Sequence, residues 1–171
     1  GDRQGALAAY QEAARRAPDD AFTTYRVGAT LAALGRHREA LMWYGRAVSA
    51  DPTWALPHLG RAESLRLLRA PEQAIEAMRR AVAREPGRAR YRSNLASLLA
   101  ETGRRDEALA ILRELTRDFP DYGPGWFNLA VAELQAGDQA AARRALERAA
   151  ALPDLDPAQR QRIDALRERL R

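Results

Sequence analysis

Apolar and small residues return along this chain at two rhythms. The short rhythm is helical. Val27, Gly28 and Leu31 lie three to four residues apart, as do Leu95, Ala96 and Leu99, and Ala40, Tyr44, Ala47 and Val48 continue the spacing. Such a pattern lays one apolar stripe along one helix face. The long rhythm is thirty-four residues. Pro18, Pro52, Pro86 and Pro120 keep it, and so do Ala6, Ala40, Ala74, Ala108 and Ala142. A third column runs Ala13, Ala47, Ala81, Leu115 and Ala149. Between these two lies a bulky column of Tyr10, Tyr44, Met78, Leu112 and Leu146. Gly35, Gly103 and Gly137 mark a turn, with Gly1 in register and Arg69 departing.

Each period therefore predicts a helix, a glycine turn, an antiparallel helix and a proline stop. Glycine ends the first helix because it accepts positive φ. Proline ends the second, since it lacks an N–H and disfavours helix in the residue before it. Gly28, Ala62, Ala96 and Ala130 let the first helix approach its partner, and the bulky column fills the space between neighbouring periods. Gly1 aligns with the turn, so the chain opens on a lone second helix at about Arg3–Ala17, a half repeat over 1–20. Four full repeats follow at 21–54, 55–88, 89–122 and 123–154, all in one domain over 1–171. Asp156-Pro157 then reads as an N-cap before a helix-starting proline. The expected capping helix (156–171) has a narrow stripe of Ile163, Leu166 and Leu170 under a polar outer face, as the end of a repeat array requires. The opening helix lacks such a cap, which leaves Leu7 and Tyr10 expected exposed and implies more protein upstream. Two positions break their columns. Arg61 stands where Val27, Leu95 and Leu129 stand elsewhere, predicting a rotated or less well packed helix. Glu133 replaces a large residue, with Leu134 beside it as the expected compensation.

The combined columns resemble the tetratricopeptide repeat family, whose pattern runs Trp, two residues, Leu-Gly, two residues, Tyr, then Ala, three residues, Phe, then Pro. Trp126-x-x-Leu129-Ala130 matches its opening; Val27-Gly28-x-x-Leu31, Ala40-x-x-x-Tyr44 and Pro52 match the rest. The resemblance covers about residues 1–152. It implies an all-α fold, a right-handed superhelical solenoid of antiparallel helix pairs with a C-terminal capping helix.

Composition narrows the chemistry. Hydrophobic residues make up 46% of the 171, and 30% are charged. The absence of cysteine excludes disulfides, thiolate catalysis and cysteine-based zinc sites. No run approaches the eighteen apolar residues of a membrane span. All 28 basic residues are arginine, and the net charge is +5. The arginines are scattered and mostly sit near acids, whereas a nucleic-acid binder concentrates them. Arginine without lysine, amid abundant alanine, fits a GC-rich bacterial source. The chain reads as soluble, in the cytoplasm or periplasm.

No catalytic constellation emerges. His37 and His58, the two histidines, are not spaced as metal ligands; the first reads as a turn residue facing water, the second as packing in the column of Trp126. There is no nucleophile elbow, and Ser49 reads as solvent-facing. Glycines are isolated, so no phosphate-cradling loop exists. An enzyme, a cofactor and a bound metal are not expected. What remains is surface. The resemblance implies a concave groove of first helices that holds a peptide, here through Tyr25, Arg26, Leu59, Glu63, Arg90, Asn94, Ser97, Phe127, Asn128 and Val131. Tyr25 and Phe127 are the expected anchors. Asn94 and Asn128, one period apart, could grip a peptide backbone, since an amide both donates and accepts; Arg26 and Gly60 interrupt that ladder. The lysine-asparagine-arginine clamp of chaperone-binding relatives is missing at Leu59, Glu63 and Pro124. The expected function is a protein–protein interaction scaffold for an extended or helical segment. The alternative is the substrate-presenting or assembly region of a larger bacterial enzyme or of an envelope or secretion machine. Nucleic acid and membrane insertion are not expected, and the partner's identity does not follow from the sequence.

Overall fold

The computed structural model describes residues 2–170. They form ten helices and no strand: α1 (Arg3–Arg16), α2 (Ala21–Ala33), α3 (His37–Ala50), α4 (Ala55–Leu67), α5 (Pro71–Arg84), α6 (Ala89–Glu101), α7 (Arg105–Asp118), α8 (Gly123–Ala136), α9 (Gln139–Ala150) and α10 (Pro157–Arg169). The fold is that of a helical repeat protein, and helices fall into two compact units, residues 1–85 and 86–171.

The helix ends follow from single residues. After α2, Gly35 takes φ 76°, and the Arg36 N–H reaches back to the Leu31 carbonyl at 2.9 Å. The same six-to-one closure follows α6 at Gly103 and α8 at Gly137. Arg69 does this job after α4 with φ 60°, the one non-glycine residue at positive φ among those described; Ala70 N–H still closes on Leu65 at 3.0 Å. The period prolines each stand two residues past the end of α1, α3, α5 or α7. Asp20, Asp138 and Asp156 accept backbone N–H bonds at the starts of α2, α9 and α10, the last in a capping box with Gln159.

In the first unit α1 packs on α2, α2 on α3, α3 on α4, and α4 on α5, while α2 and α4 also touch. Leu7, Ala14, Val27, Leu31, Ala40 and Tyr44 form one buried cluster. Leu7, expected exposed, is covered by α2, and Tyr10 is half-buried there. The Arg3 guanidinium donates to the Ala33 carbonyl at 3.1 Å, fixing the antiparallel pairing of α1 and α2. Tyr44 lodges where glycine makes room on both sides. A Cβ on Gly28 would lie 2.8 Å from its ring, and one on Gly60 2.5 Å. Arg61 does not loosen α4, which buries Ala55, Pro57, His58, Leu59, Ala62 and Leu65. The arginine is half-buried and lines a cavity with His58 and Leu65.

In the second unit α6 packs on α7, α7 on α8, and α8 on α9; α10 lies against both α8 and α9. Arg92, at the start of α6, donates to Asp118 at the end of α7 at 2.7 Å. Glu133 is buried, and its carboxylate accepts two bonds from Arg113 of α7, at 2.9 and 3.1 Å. Compensation thus comes from an arginine of the neighbouring helix; Leu134 is only half-buried. A two-pronged guanidinium satisfies a buried carboxylate as an apolar neighbour could not. α10 buries a single residue, Ile163.

Candidate functional site

In the first unit, α2 and α4 present their faces to one open cavity of about 340 Å³. Three of the expected groove residues, Tyr25, Leu59 and Glu63, line it. Among the residues not expected there, His37, Tyr44 and Ser64 add polar groups to the wall. Ala29, Ala32 and Ala33 of α2 keep their side of the space open because their side chains end at Cβ.

Helical spacing explains the arrangement. Tyr25, Ala29 and Ala32 are four and three residues apart, and Leu59 and Glu63 are four apart, so each set shares one face. Tyr25 is held by other rings. Its centroid lies 4.8 Å from Trp54, edge to face, and 5.8 Å from Tyr44. Tyr44 is almost wholly buried. Burial, reinforced by Tyr25 and by the Glu63 carboxylate, holds its phenol well above the ordinary value, so it stays protonated. Ser64 is 1% exposed, and its Oγ has no hydrogen-bond partner among the described residues; the same holds for the buried Nδ1 of His37.

His37 therefore does not simply face water. It stands one period after Arg3, whose guanidinium crosses to the end of the next first helix at Ala33. The first residue of α3 leans the same way, toward the end of α4, where Leu67 shares the cavity wall. The Arg3 column was the signal that could have placed His37 here. Tyr44 was legible as packing; its second role as a wall was not, because that needs the glycines on both sides of it.

Arg26 is turned elsewhere. It donates to the Tyr10 hydroxyl at 2.8 Å, and its guanidinium carbon sits 4.9 Å from that ring. It clamps α2 to α1.

The second unit places its six expected residues differently. Arg90 is exposed, 5.8 Å from the Tyr91 ring. Asn94 and Ser97 are half-buried, and Ser97 donates to the Ser93 carbonyl. Asn128 donates one of its amide N–H groups to the Ser93 hydroxyl at 2.8 Å. That bond ties α8 to α6. Phe127, expected as an exposed anchor, is 4% exposed, with the Arg162 guanidinium of α10 5.1 Å from its ring. Val131 lines a separate cavity of about 410 Å³ with Leu134, Gln135, Arg162 and Leu166.

A further cavity of about 420 Å³ lies on α4 and α5, lined by His58, Arg61, Glu72, Glu76 and Arg80 among others. Its charges balance, and Arg80 already pairs with Glu76 at 3.0 Å. His58 is held below its ordinary value of 6.5, first by burial and then by the cations of Arg61, Arg80 and Arg84. Among the described residues no cluster of His, Asp or Glu could hold a metal ion, and no helix is long and apolar enough to cross a membrane.

Two family models match the chain, both described as tetratricopeptide repeat, over residues 1–53 and 65–130. No curated protein matches. Solved structures do. One of MamA is 20% identical with a TM-score of 0.79, covering 96% of this chain and 92% of its own. YrrB, described as a TPR protein with an unusual peptide-binding site, is 21% identical with a TM-score of 0.75, covering 96% and 84%. TTC0263 of Thermus thermophilus, described as a thermophilic TPR protein, is 22% identical with a TM-score of 0.73, covering 96% and 90%. At such identities the likeness is one of fold.

Proposed function

The chain belongs to the tetratricopeptide repeat family, and from that premise we propose that it is a protein-interaction scaffold that seats a peptide segment of its partner on the α2–α4 face. The cavity walled by Tyr25, Leu59 and Glu63 carries this reading. Its volume lies in the ~300–1,000 Å³ range of ligand pockets, and it combines an apolar floor with a few polar groups. YrrB, of similar fold, is described as binding peptide. Nothing in the cavity assembles a nucleophile with a base and an orienting partner, so its chemistry is recognition. In the second unit the cover that Arg162 places on Phe127 favours the first unit as the seat.

Selection from a random-peptide display library tests the proposal. Peptides that bind the wild-type chain should lose at least about tenfold in affinity on Ala32→Trp, which fills the cavity, while helical circular dichroism stays unchanged. Peptides that bind Ala32→Trp equally well would place the ligand elsewhere.

A further inference from the structure

We propose that the α2–α4 cavity recognises a cationic side chain, an arginine or lysine carried by the partner's segment. The inference rests on the peptide-binding reading above and adds the chemistry of the anchor.

Charge is the first argument. The chain carries 28 arginines, yet none lines this cavity. Its one carboxylate, Glu63, is exposed and makes no hydrogen bond or ion pair with any described residue. Of the other glutamates, Glu72, Glu147 and Glu168 stand the same way but do not line this cavity. Glu12, Glu39, Glu76, Glu107, Glu114 and Glu133 all pair with arginine. Glu63 is a carboxylate left open at the mouth of a concave site.

Shape and hydrogen-bonding capacity are the second. Ala29, Ala32 and Leu59 offer an apolar channel for a methylene stem, and the Tyr25 and Tyr44 rings supply π faces beside it. A guanidinium brings five donors and an ammonium three, and neither can accept. The acceptors are in place: the Glu63 carboxylate, the Ser64 Oγ, and Nδ1 of His37 in its Nε2–H tautomer. An anionic side chain would meet repulsion from Glu63. An apolar one would strip water from that carboxylate and return nothing to it. A cation alone both donates to the neutral acceptors and neutralises the Glu63 carboxylate.

The test uses the whole chain and acetylated, amidated heptapeptide pools, randomised around a central residue fixed as arginine, lysine, citrulline, norleucine or glutamate. Binding is read by fluorescence anisotropy. Citrulline keeps the shape of arginine and removes its charge. The arginine and lysine pools should bind about tenfold or more tightly than the citrulline and norleucine pools. Glu63→Gln should erase that preference, and Glu63→Arg should shift it toward the glutamate pool; Glu63 is exposed, so both variants keep the fold. Equal binding of arginine and citrulline pools, with sensitivity to Ala32→Trp retained, would overturn the cationic anchor and leave the peptide seat standing. Absence of any binding sensitive to Ala32→Trp would overturn both. Dimerisation that vanishes in Glu63→Gln, without peptide binding, would replace the partner segment by an arginine of a second copy.

Discussion

Tyr44 shows how one side chain dictates its neighbours. Its ring leaves no room for a Cβ at position 28 or 60, and both are glycine. Two periods on, within the second unit, the corresponding trio is Ala96, Leu112 and Asn128. The smaller the bulky residue, the larger its flanks. Gly60→Asn should therefore cost about 2 kcal/mol by overpacking, and less than about 1 kcal/mol in a Tyr44→Leu background, measured by urea denaturation as a double-mutant cycle. Arg69 departs from its column in the opposite sense. It adopts φ 60° where its counterparts are glycines. Arg69→Gly should raise stability by up to about 1 kcal/mol, the relief of a left-handed backbone less the added freedom of the unfolded chain. An unchanged urea midpoint would show that the arginine bears no strain there.

Among the elements, α10 is held most lightly. Ile163 is its one buried residue, and burying an isoleucine contributes roughly 1.5–3 kcal/mol. Ile163→Asp should undock α10 alone. Hydrogen exchange should then lose protection over 157–169 and keep it over α6–α9, since local openings are bounded by the stability of the piece that opens. Loss of protection throughout the second unit would show that α10 folds cooperatively with it. Helix ends were the most legible part of the chain, because glycine and proline fix them by backbone geometry that acts within one or two residues. The partner of Glu133 was not legible. Arg113 lies twenty residues away on another helix, and Leu134 was merely adjacent. The cavity was half legible for a similar reason. Tyr25, Leu59 and Glu63 lie on first helices, where the family resemblance directs attention; His37 and Tyr44 reach it from α3. Phe127 read as an anchor because nothing in its own helix reveals that α10 covers it.

At the scale of the molecule, charge is arranged to be tolerated near neutrality and lost in acid by two steps. The first concerns His58, held below 6.5 by burial and nearby arginines. Above 6.5 it is neutral in both folded and unfolded chains and contributes nothing. Below 6.5 the unfolded chain takes up the proton first, so stability falls as the pH drops from 6.5 toward the lower folded value. The second step concerns Asp118, depressed by its bond to Arg92, and Asp51, depressed by Thr53; what they contribute is lost as the pH falls below the ordinary aspartate value of 3.8. Thermal melts between pH 7 and 5 should show a declining Tm that His58→Phe flattens; an unchanged slope in that variant would remove His58 as the cause. The repeat period made the architecture readable because every column is sampled four or five times. Its exceptions carry the individuality of the protein, and the trio around Tyr44 sets a limit on modularity. A thirty-four-residue unit cut at its own boundaries takes Gly28 and Tyr44 with it and leaves Gly60 behind in the next. Shuffled in front of a unit with Asn at that position, it would bring a ring to a place already filled. The order of these two repeats is thus itself encoded, in a pair of residues that straddles their junction, and recombination there would be filtered at the junction rather than within the units.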